Sequence, residues 1–294
     1  MTITLLHISD LHFGTVIDAA LQGVLQVLAH RDPDVVIVTG DVTQRGRASE
    51  LRGFTDLLEL LCRPRPGAPG IPRLVQVVPG NHDVDWWPPW RRIFAPLARF
   101  EAAVPADNRR AAVVVDDVVL LALGSVNPRR QVAGTLSPAA LDDLRTIATG
   151  SPAAVRVAFT HHPLALDRPA RRTHVVTNAA VAAASLAEAG IDVLLSGHLH
   201  LPFATTTATA FPTLSRAFVL AGAGTATSSR TRRDQPRALQ LVTVASAHID
   251  IERCEMAAGA SSFDVVGHSH FARDPPDGSL SSGRVAGWRS VPGV

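Results

Sequence analysis

The chain has no lysine and no tyrosine among its 294 residues, and it has two cysteines. All 28 basic residues are therefore arginines, and the formal net charge is only +2. The excess of positive charge is small. The pI of about 9.0 therefore reflects the scarcity of groups that titrate just above neutrality. This charge gives little support to a role in binding nucleic acid or an anionic membrane surface.

Cys62 and Cys254 stand alone, with no paired cysteine near either. This excludes a zinc ribbon and a disulfide-rich scaffold. The N-terminal segment has no basic stretch, and no apolar run reaches the roughly 18 residues that a membrane span needs. We therefore expect a cytoplasmic protein with no membrane partner.

Short apolar runs alternate with longer amphipathic ones from the N-terminus to about residue 251. Runs such as Ile3–Ile8 and Val35–Val38 predict strands, and the segments between them predict helices, which favours an α/β fold with a buried sheet. Asp116-Asp117 between two apolar runs predicts a hairpin turn. Ser137-Pro138 predicts the start of a helix, with serine as its N-cap.

The composition changes after about residue 257, where Gly, Ser, Pro and Asp accumulate and the periodicity fades. We therefore assign residues 1–258 to one domain. Residues 259–294 are predicted to form a mobile C-terminal tail.

Polar, metal-binding residue types follow five of the predicted strands directly. In α/β sheets, ligands collect at the carboxyl ends of strands, so these side chains are expected to converge. They comprise carboxylates, an amide and imidazoles but no thiolate, which suits Mn, Fe, Zn, Co or Ni and argues against a structural zinc. The five segments are Ser9-Asp10-Leu11-His12, Gly40-Asp41, Gly80-Asn81-His82-Asp83, His161-His162 and Gly197-His198-Leu199-His200.

The ordered set D-x-H, G-D, G-N-H-D, H and G-H-x-H resembles the calcineurin-like metallophosphoesterase family, over about two thirds of the chain. The resemblance implies a four-layer α/β fold, in which helices flank a two-sheet β-sandwich. It also implies two divalent or trivalent transition-metal ions bridged by Asp41. One ion would be held by Asp10, His12, Asp41 and His200, and the other by Asp41, Asn81, His161 and His198.

Two ions about 3.5 to 4 Å apart stabilise both oxygens of an in-line displacement at phosphorus, and they generate a bridging hydroxide that attacks it. His82 is left over from metal binding in this scheme. It is expected to face the phosphate as the catalytic residue, where it neutralises charge or protonates the leaving oxygen.

The segments around Asp10, Asp41 and Ala223–Arg230 are similar to the class III cyclic-nucleotide phosphodiesterase group. We therefore expect a phosphodiesterase that acts on a small molecule, such as a cyclic nucleotide or a glycerophosphodiester. Gln44 stands where the phosphoprotein phosphatase branch carries the Asp that orients the free histidine, and purple acid phosphatases need a tyrosine ligand. A phosphomonoesterase or nuclease using the same site, and a non-catalytic metal-bound scaffold, stay open as alternatives, as does a homodimer.

Several residues have two interpretations. His162 could replace His161 as the ligand, or support it. The second G-H-x-H sequence, Gly267–His270, is interpreted as a chance match or an adventitious metal-binding pair. Arg230, with Arg232 and Arg233, is predicted either to lie in a solvated loop or to approach the substrate phosphate. Trp86, Trp87 and Trp90 either pack a short helix or form a stacking surface for a nucleobase.

Overall fold

The computed structural model describes residues 1–86, 88–130, 132–167, 175–231, 235–274 and 286–292. Its helices are α1 (Asp18–Arg31), α2 (Ala48–Leu61), α3 (Pro89–Phe94), α4 (Ala98–Ala103), α5 (Pro138–Gly150), α6 (Ala179–Glu188) and α7 (Thr207–Ala210). Its strands are β1 (Ile3–Ile8), β2 (Val35–Val38), β3 (Leu74–Val77), β4 (Ala112–Val115), β5 (Val118–Ala122), β6 (Val155–Phe159), β7 (Val193–Ser196), β8 (Phe203–Thr206), β9 (Val219–Gly222), β10 (Arg237–Val244), β11 (His248–Met256), β12 (Asp264–Arg273) and β13 (Trp288–Val291).

The strands form two sheets, ordered β13-β12-β11-β10-β1-β2-β3 and β4-β5-β6-β7-β9-β8. In the first sheet β1, β2 and β3 are parallel, and in the second β5, β6, β7 and β9 are parallel. The carboxyl ends of these parallel strands carry the polar segments that the sequence singles out.

The period of two along each strand divides the core into layers. Leu5 and Ile37 point between the sheets and pack against residues of β5, β6 and β7. Leu6 and Val36 point the other way, into a second core beneath α1 and α2. A third core lies between the second sheet and the helices α5 and α6. The fold is thus the predicted four-layer α/β arrangement, with helices on both sides of a two-sheet sandwich.

Local features that the sequence predicts are present. The hairpin at Asp116-Asp117 joins the antiparallel strands β4 and β5. The Ser137 side chain accepts a hydrogen bond from the backbone N–H of Ala140 and caps α5. Among the described residues, no helix is long and apolar enough to cross a membrane.

The segment predicted to be a tail differs from the prediction in its described part. β12, ten residues long, pairs antiparallel with β11, and β13 pairs with β12, so both strands extend the first sheet. Phe271 and Trp288 are buried in the core between the sheets. The packing domain therefore continues past residue 258.

Candidate metal centre

The two sheets meet at the carboxyl ends of their parallel strands. The backbone N–H of Ala226, after β9, donates to the carbonyl of Ser9, after β1. Within the first sheet, the N–H of Asp10 donates to the carbonyl of Gly40. Loops from both sheets are therefore fixed against one another, and their side chains enter one buried space.

The backbone at this junction is strained. Seven non-glycine residues in the described part of the chain have positive φ, and five of them are predicted metal ligands. A left-handed conformation costs a non-glycine residue of the order of 1–3 kcal/mol, and such residues cluster at functional sites. The five are Asp10 (53°), His12 (49°), Asp41 (49°), His198 (70°) and His200 (55°).

The first predicted ligand set is gathered around one point. His12 Nε2 and His200 Nε2 are 3.0 Å apart, and His200 Nε2 lies 3.2 Å from Asp10 Oδ1. His12 Nε2 lies 3.8 Å from Asp10 Oδ1 and 3.9 Å from Asp41 Oδ2. All four residues are buried.

The second predicted set converges in the same way beside the first. Asn81 Oδ1 lies 3.0 Å from His198 Nδ1 and 3.2 Å from His161 Nε2. His161 Nε2 also lies 3.4 Å from Asp41 Oδ2, the atom that faces His12 in the first set. Asp41 is therefore placed between the two sets, as a bridging ligand would be.

The spacing within both sets fits metal coordination. A metal with bonds of about 2.1 Å to nitrogen and oxygen places its adjacent ligand atoms about 3.0 to 3.4 Å apart. Donor atoms of Asp10, His12 and His200, all of the first set, lie within 4.8 Å of one another, and so do donor atoms of Asp10, Asp41 and His161, which connect the two sets. Two imidazole nitrogens directed at each other, as in His12 and His200, are suited to sharing a cation.

The electrostatics of the site also favour a cation. Burial alone would lower the pKa of His161, but the Asp41 carboxylate, Asp10 and the Thr39 carbonyl together outweigh this effect and raise the pKa to about 9. Burial by itself would raise the pKa of Asp41, yet the neighbouring His161 holds that pKa well below its usual range. Two buried carboxylates, Asp10 and Asp41, thus stay charged and attract positive charge into the site.

Hydrogen bonds to the backbone orient the histidine rings. His161 Nδ1 bonds the Thr39 carbonyl at 2.7 Å, and His200 Nδ1 bonds the Arg230 carbonyl at 2.8 Å. In each ring this leaves Nε2 directed at the carboxylates. Metal-binding histidines are usually held by such a bond from the other ring nitrogen.

His162 has a different environment, although its ring lies near those of His161 and His198. Its Nδ1 bonds Ser125 Oγ at 2.8 Å, and its Nε2 bonds the Val132 carbonyl at 3.0 Å. Both ring nitrogens thus have ordinary hydrogen-bond partners. A ring nitrogen of His162 also lies within 4.8 Å of ligand atoms of His161 and His198. We keep His161 as the predicted ligand, because its Nε2 lies 3.4 Å from Asp41 Oδ2 whereas both ring nitrogens of His162 bond groups outside the predicted sets.

His82 belongs to neither predicted ligand set, although one of its ring nitrogens lies within 4.8 Å of ligand atoms of His12 and Asp41. Its Nδ1 donates to the Gln44 carbonyl at 2.8 Å, and its ring lies edge-on to that of His12, with centroids 4.9 Å apart. The backbone of Gln44 therefore orients His82 in place of the missing acidic side chain.

An open cleft of about 510 Å³ gives access to these groups. His82 and Arg230 form part of its wall, with Asp41, Asn81, Val132, His198, His200 and Thr231. Arg230 is exposed at this wall, which is compatible with both the solvated-loop and the substrate-approach interpretations. Arg232 and Arg233 lie outside the described residues.

Several polar residues without a predicted role hold the segments of the site together. Asp83 accepts from the backbone N–H groups of Gly80 and Thr43, both at 2.8 Å, and so joins the Asn81 segment to the Asp41 segment. Thr225 and Thr227 donate through Oγ1 to the carbonyls of Asp10 and Leu11. The quoted motifs contain all three residues, but only the fold shows that they join separate strands.

The histidines of the second G-H-x-H sequence are placed away from the ligands. His268 and His270 lie on β12, three strands from β1 and hence about 14 Å to the side. His270 Nδ1 bonds Asp250 Oδ1 at 2.5 Å, so this pair belongs to the sheet surface. Trp86 lies beneath the Arg92 guanidinium, and Trp90 is 56% exposed on α3. Trp87 lies outside the described residues.

Comparison with family models gives a match to the calcineurin-like phosphoesterase model over residues 3–202. This range contains all seven predicted metal ligands. A comparison with curated protein sequences finds no match.

Solved structures share the fold at low sequence identity. The chain is similar to PhoD with a TM-score of 0.65 and 12% identity, covering 100% of this chain and 72% of that one. It is similar to purple acid phosphatase PPD1 of yellow lupin (TM-score 0.63, 12% identity), covering 97% of this chain and 56% of that one. A dimetal phosphatase from Danio rerio (TM-score 0.59, 12% identity) is matched over 91% of this chain and 98% of its own. The chain thus spans little more than half the length of the lupin enzyme.

Proposed function

The chain belongs to the calcineurin-like phosphoesterase family, and from this we propose that it is a dinuclear-metal phosphodiesterase acting on a small molecule. One observation carries the proposal. Two convergent ligand sets share Asp41 and open into one cleft beside His82. The ligands are Asp10, His12, Asp41 and His200 for one ion, and Asp41, Asn81, His161 and His198 for the other.

The bound ions would supply Lewis acidity, and would lower the pKa of the water that attacks phosphorus. The protein's own residues hold the substrate and handle its proton. Asp41 and Asn81 fix the geometry at the base of the cleft. Arg230, at the rim, would bind a phosphate oxygen of the substrate.

His82 is the catalytic residue in this proposal. Its Nδ1 is occupied by the Gln44 carbonyl, so Nε2 is directed away from that bond and toward the cleft that the residue lines. A protonated Nε2 would neutralise charge on the phosphate and then donate its proton to the leaving oxygen.

The motifs similar to class III cyclic-nucleotide phosphodiesterases support a diester in preference to a monoester. The cleft volume of about 510 Å³ suits a ligand of nucleotide size. The absence of tyrosine separates the chain from purple acid phosphatases, with which it shares the fold.

The test is hydrolysis of bis(p-nitrophenyl) phosphate with added Mn²⁺, assayed beside p-nitrophenyl phosphate, 3′,5′-cyclic AMP and glycerophosphocholine. We expect the diesters to have the higher kcat/KM values. Preference for p-nitrophenyl phosphate would indicate a monoesterase, and no turnover of any compound would favour the non-catalytic scaffold.

A pair of double variants ties the activity to the site. His198→Ala with His200→Ala should abolish hydrolysis, because it removes one ligand from each set. His268→Ala with His270→Ala removes two histidines of the same spacing from β12. It should leave the rate of hydrolysis within about twofold of the wild-type rate. Loss of activity only in the second variant would show that the site has been assigned to the wrong histidines.

A further inference from the structure

A second cavity, of about 660 Å³, is built from chain segments next in sequence to residues that line the metal cleft. It is lined by Pro89, Arg92, Ile93, Asn127, Pro128 and Arg129. These residues come from two segments, the one that follows His82 and the 124–137 loop. His82, just before the first of these segments, and Val132, within the 124–137 loop, line the metal cleft.

Arg92 is held in place in this second cavity. Its Nε donates to the Pro128 carbonyl at 2.6 Å, and its guanidinium carbon lies 4.2 Å from the centre of the Trp86 ring. Stacking on an aromatic face and one fixed hydrogen bond restrict the guanidinium, while its terminal N–H groups stay available. Less entropy is then lost when an anion binds.

The segments that line this cavity carry several arginines, of which Arg91 and Arg99 form ion pairs with the buried Asp85. Residues 86–100 and 118–141 contain no Asp or Glu at all. Within the described part of the chain, neither Arg92 nor Arg129 forms an ion pair with an acidic side chain. Two unpaired guanidinium groups on one cavity match the charge of about −2 on a phosphate monoester.

We propose that Arg92 and Arg129 bind a second phosphate group of the substrate, so that the substrate is a phosphodiester bearing a further phosphate. This inference rests on the proposed phosphodiesterase function. The scissile diester occupies the metal cleft, and the second phosphate lies in the second cavity against the Arg92 guanidinium. Ile93 and Pro89 give the rest of that cavity an apolar surface, against which the nucleoside or other linking group packs.

The test uses two chromogenic diesters that differ by one group. They are the p-nitrophenyl ester of thymidine 5′-phosphate and the same ester carrying a 3′-phosphate. The wild type should have a KM about 10- to 100-fold lower for the 3′-phosphorylated compound, the effect of one or two charge-assisted hydrogen bonds. Arg92→Gln and Arg129→Gln should each reduce this KM ratio, because the interaction is made equally in the ground and transition states.

Arg145→Gln is the matched control, since Arg145 is an exposed arginine of α5 that lines neither cavity. It should keep the wild-type KM ratio. Equal KM values for the two diesters in the wild type, or an unchanged ratio in both Arg92→Gln and Arg129→Gln, would overturn the proposal.

Calorimetric binding of thymidine 3′,5′-bisphosphate and thymidine 5′-monophosphate to the metal-saturated protein separates the two proposals. If neither diester is turned over, the phosphodiesterase proposal fails. The second-phosphate site is still supported in that case if the bisphosphate binds more tightly than the monophosphate and this difference is lost in Arg92→Gln. Equal affinity for the two nucleotides would overturn the second-phosphate site.

Discussion

The orientation of His82 depends on a main-chain atom. Its Nδ1 bonds the Gln44 carbonyl, so the ring is positioned without an acidic side chain at residue 44. A carbonyl fixes the ring orientation and the proton on Nδ1 as a carboxylate does, but it adds no negative charge. Proton donation from Nε2 is therefore compatible with glutamine at this position.

His82→Ala should retain both metals and the fold, because His82 belongs to neither ligand set. The turnover number should fall about 10²- to 10⁴-fold, the usual contribution of a positioned acid or base. The loss should be larger for a diester with an alkoxide leaving group than for p-nitrophenolate, which departs without a proton. Equal losses would indicate charge stabilisation alone, and loss of metal would make His82 a ligand.

His7, inside β1, is a structural histidine, in contrast to the proposed catalytic residue His82. It is fully buried, with ring nitrogens that bond Gln240 Oε1 at 3.2 Å and Thr39 Oγ1 at 3.0 Å. Burial lowers the pKa of His7 from 6.5 to about 4, although the hydrogen bond to Gln240 and the charge of Asp10 oppose the shift. The folded protein therefore holds this ring neutral while the unfolded chain takes up a proton.

The pH dependence of stability follows from this difference. The neutral His7 ring contributes about 3 kcal/mol to the free energy of unfolding. This contribution is present in full above about pH 6.5 and is lost as the pH falls toward 4. His7→Gln should therefore flatten the fall in the free energy of unfolding between pH 7 and 4, measured by urea denaturation. His30→Gln, at an exposed position, is the control. Parallel curves for wild type and His7→Gln would contradict this account.

The strand ends approach one another closely because glycine stands at the contact. A Cβ atom on Gly80, after β3, would lie 2.1 Å from Asp41 Oδ1 and 2.3 Å from Asp41 N, after β2. Asp41 N is a backbone atom, so no side-chain rotation can relieve the overlap with it. The position of the Asp41 carboxylate thus depends on the absence of a side chain one strand away.

Gly80→Ala should displace Asp41, destabilise the fold by about 1–3 kcal/mol and reduce metal binding. Gly124→Ala is the matched control, because Gly124 also follows a strand and a Cβ there would meet nothing within 4 Å. Thermal unfolding and metal content of the two variants check the prediction. Normal metal content in Gly80→Ala would show that the close approach does not set the Asp41 position.

The buried strands could be predicted from sequence, whereas β12 could not. β1 and β2 are short apolar runs, and their bounds agree with the prediction. β12 is mostly exposed or half-buried, with Phe271 its one buried residue, and it contains Gly267 and Ser269. Its pairing with β11 holds it in the sheet. This pairing does not require alternating apolar residues, so the sequence carries no pattern that predicts the strand.

The complete site exists only when the two sheets pack together. The first sheet supplies Asp10, His12, Asp41 and Asn81, and the second supplies His161, His198 and His200. The sequence could predict the residue types, since each motif follows an apolar run. It could not predict the positive φ angles or the carbonyl partners of His161 and His200, because these depend on contacts between strands far apart in the chain. The cytoplasmic location and a homodimer stay predictions.

The metal content of the purified protein, measured by elemental analysis after saturation with Mn²⁺ and removal of free ion, tests the central claim most directly. The two ligand sets predict about two ions per chain for the wild type. Asp41→Ala should lose metal from both sets, because Asp41 Oδ2 faces both His12 and His161. One ion or fewer in the wild type, or unchanged content in folded Asp41→Ala, would contradict a dinuclear site bridged by Asp41.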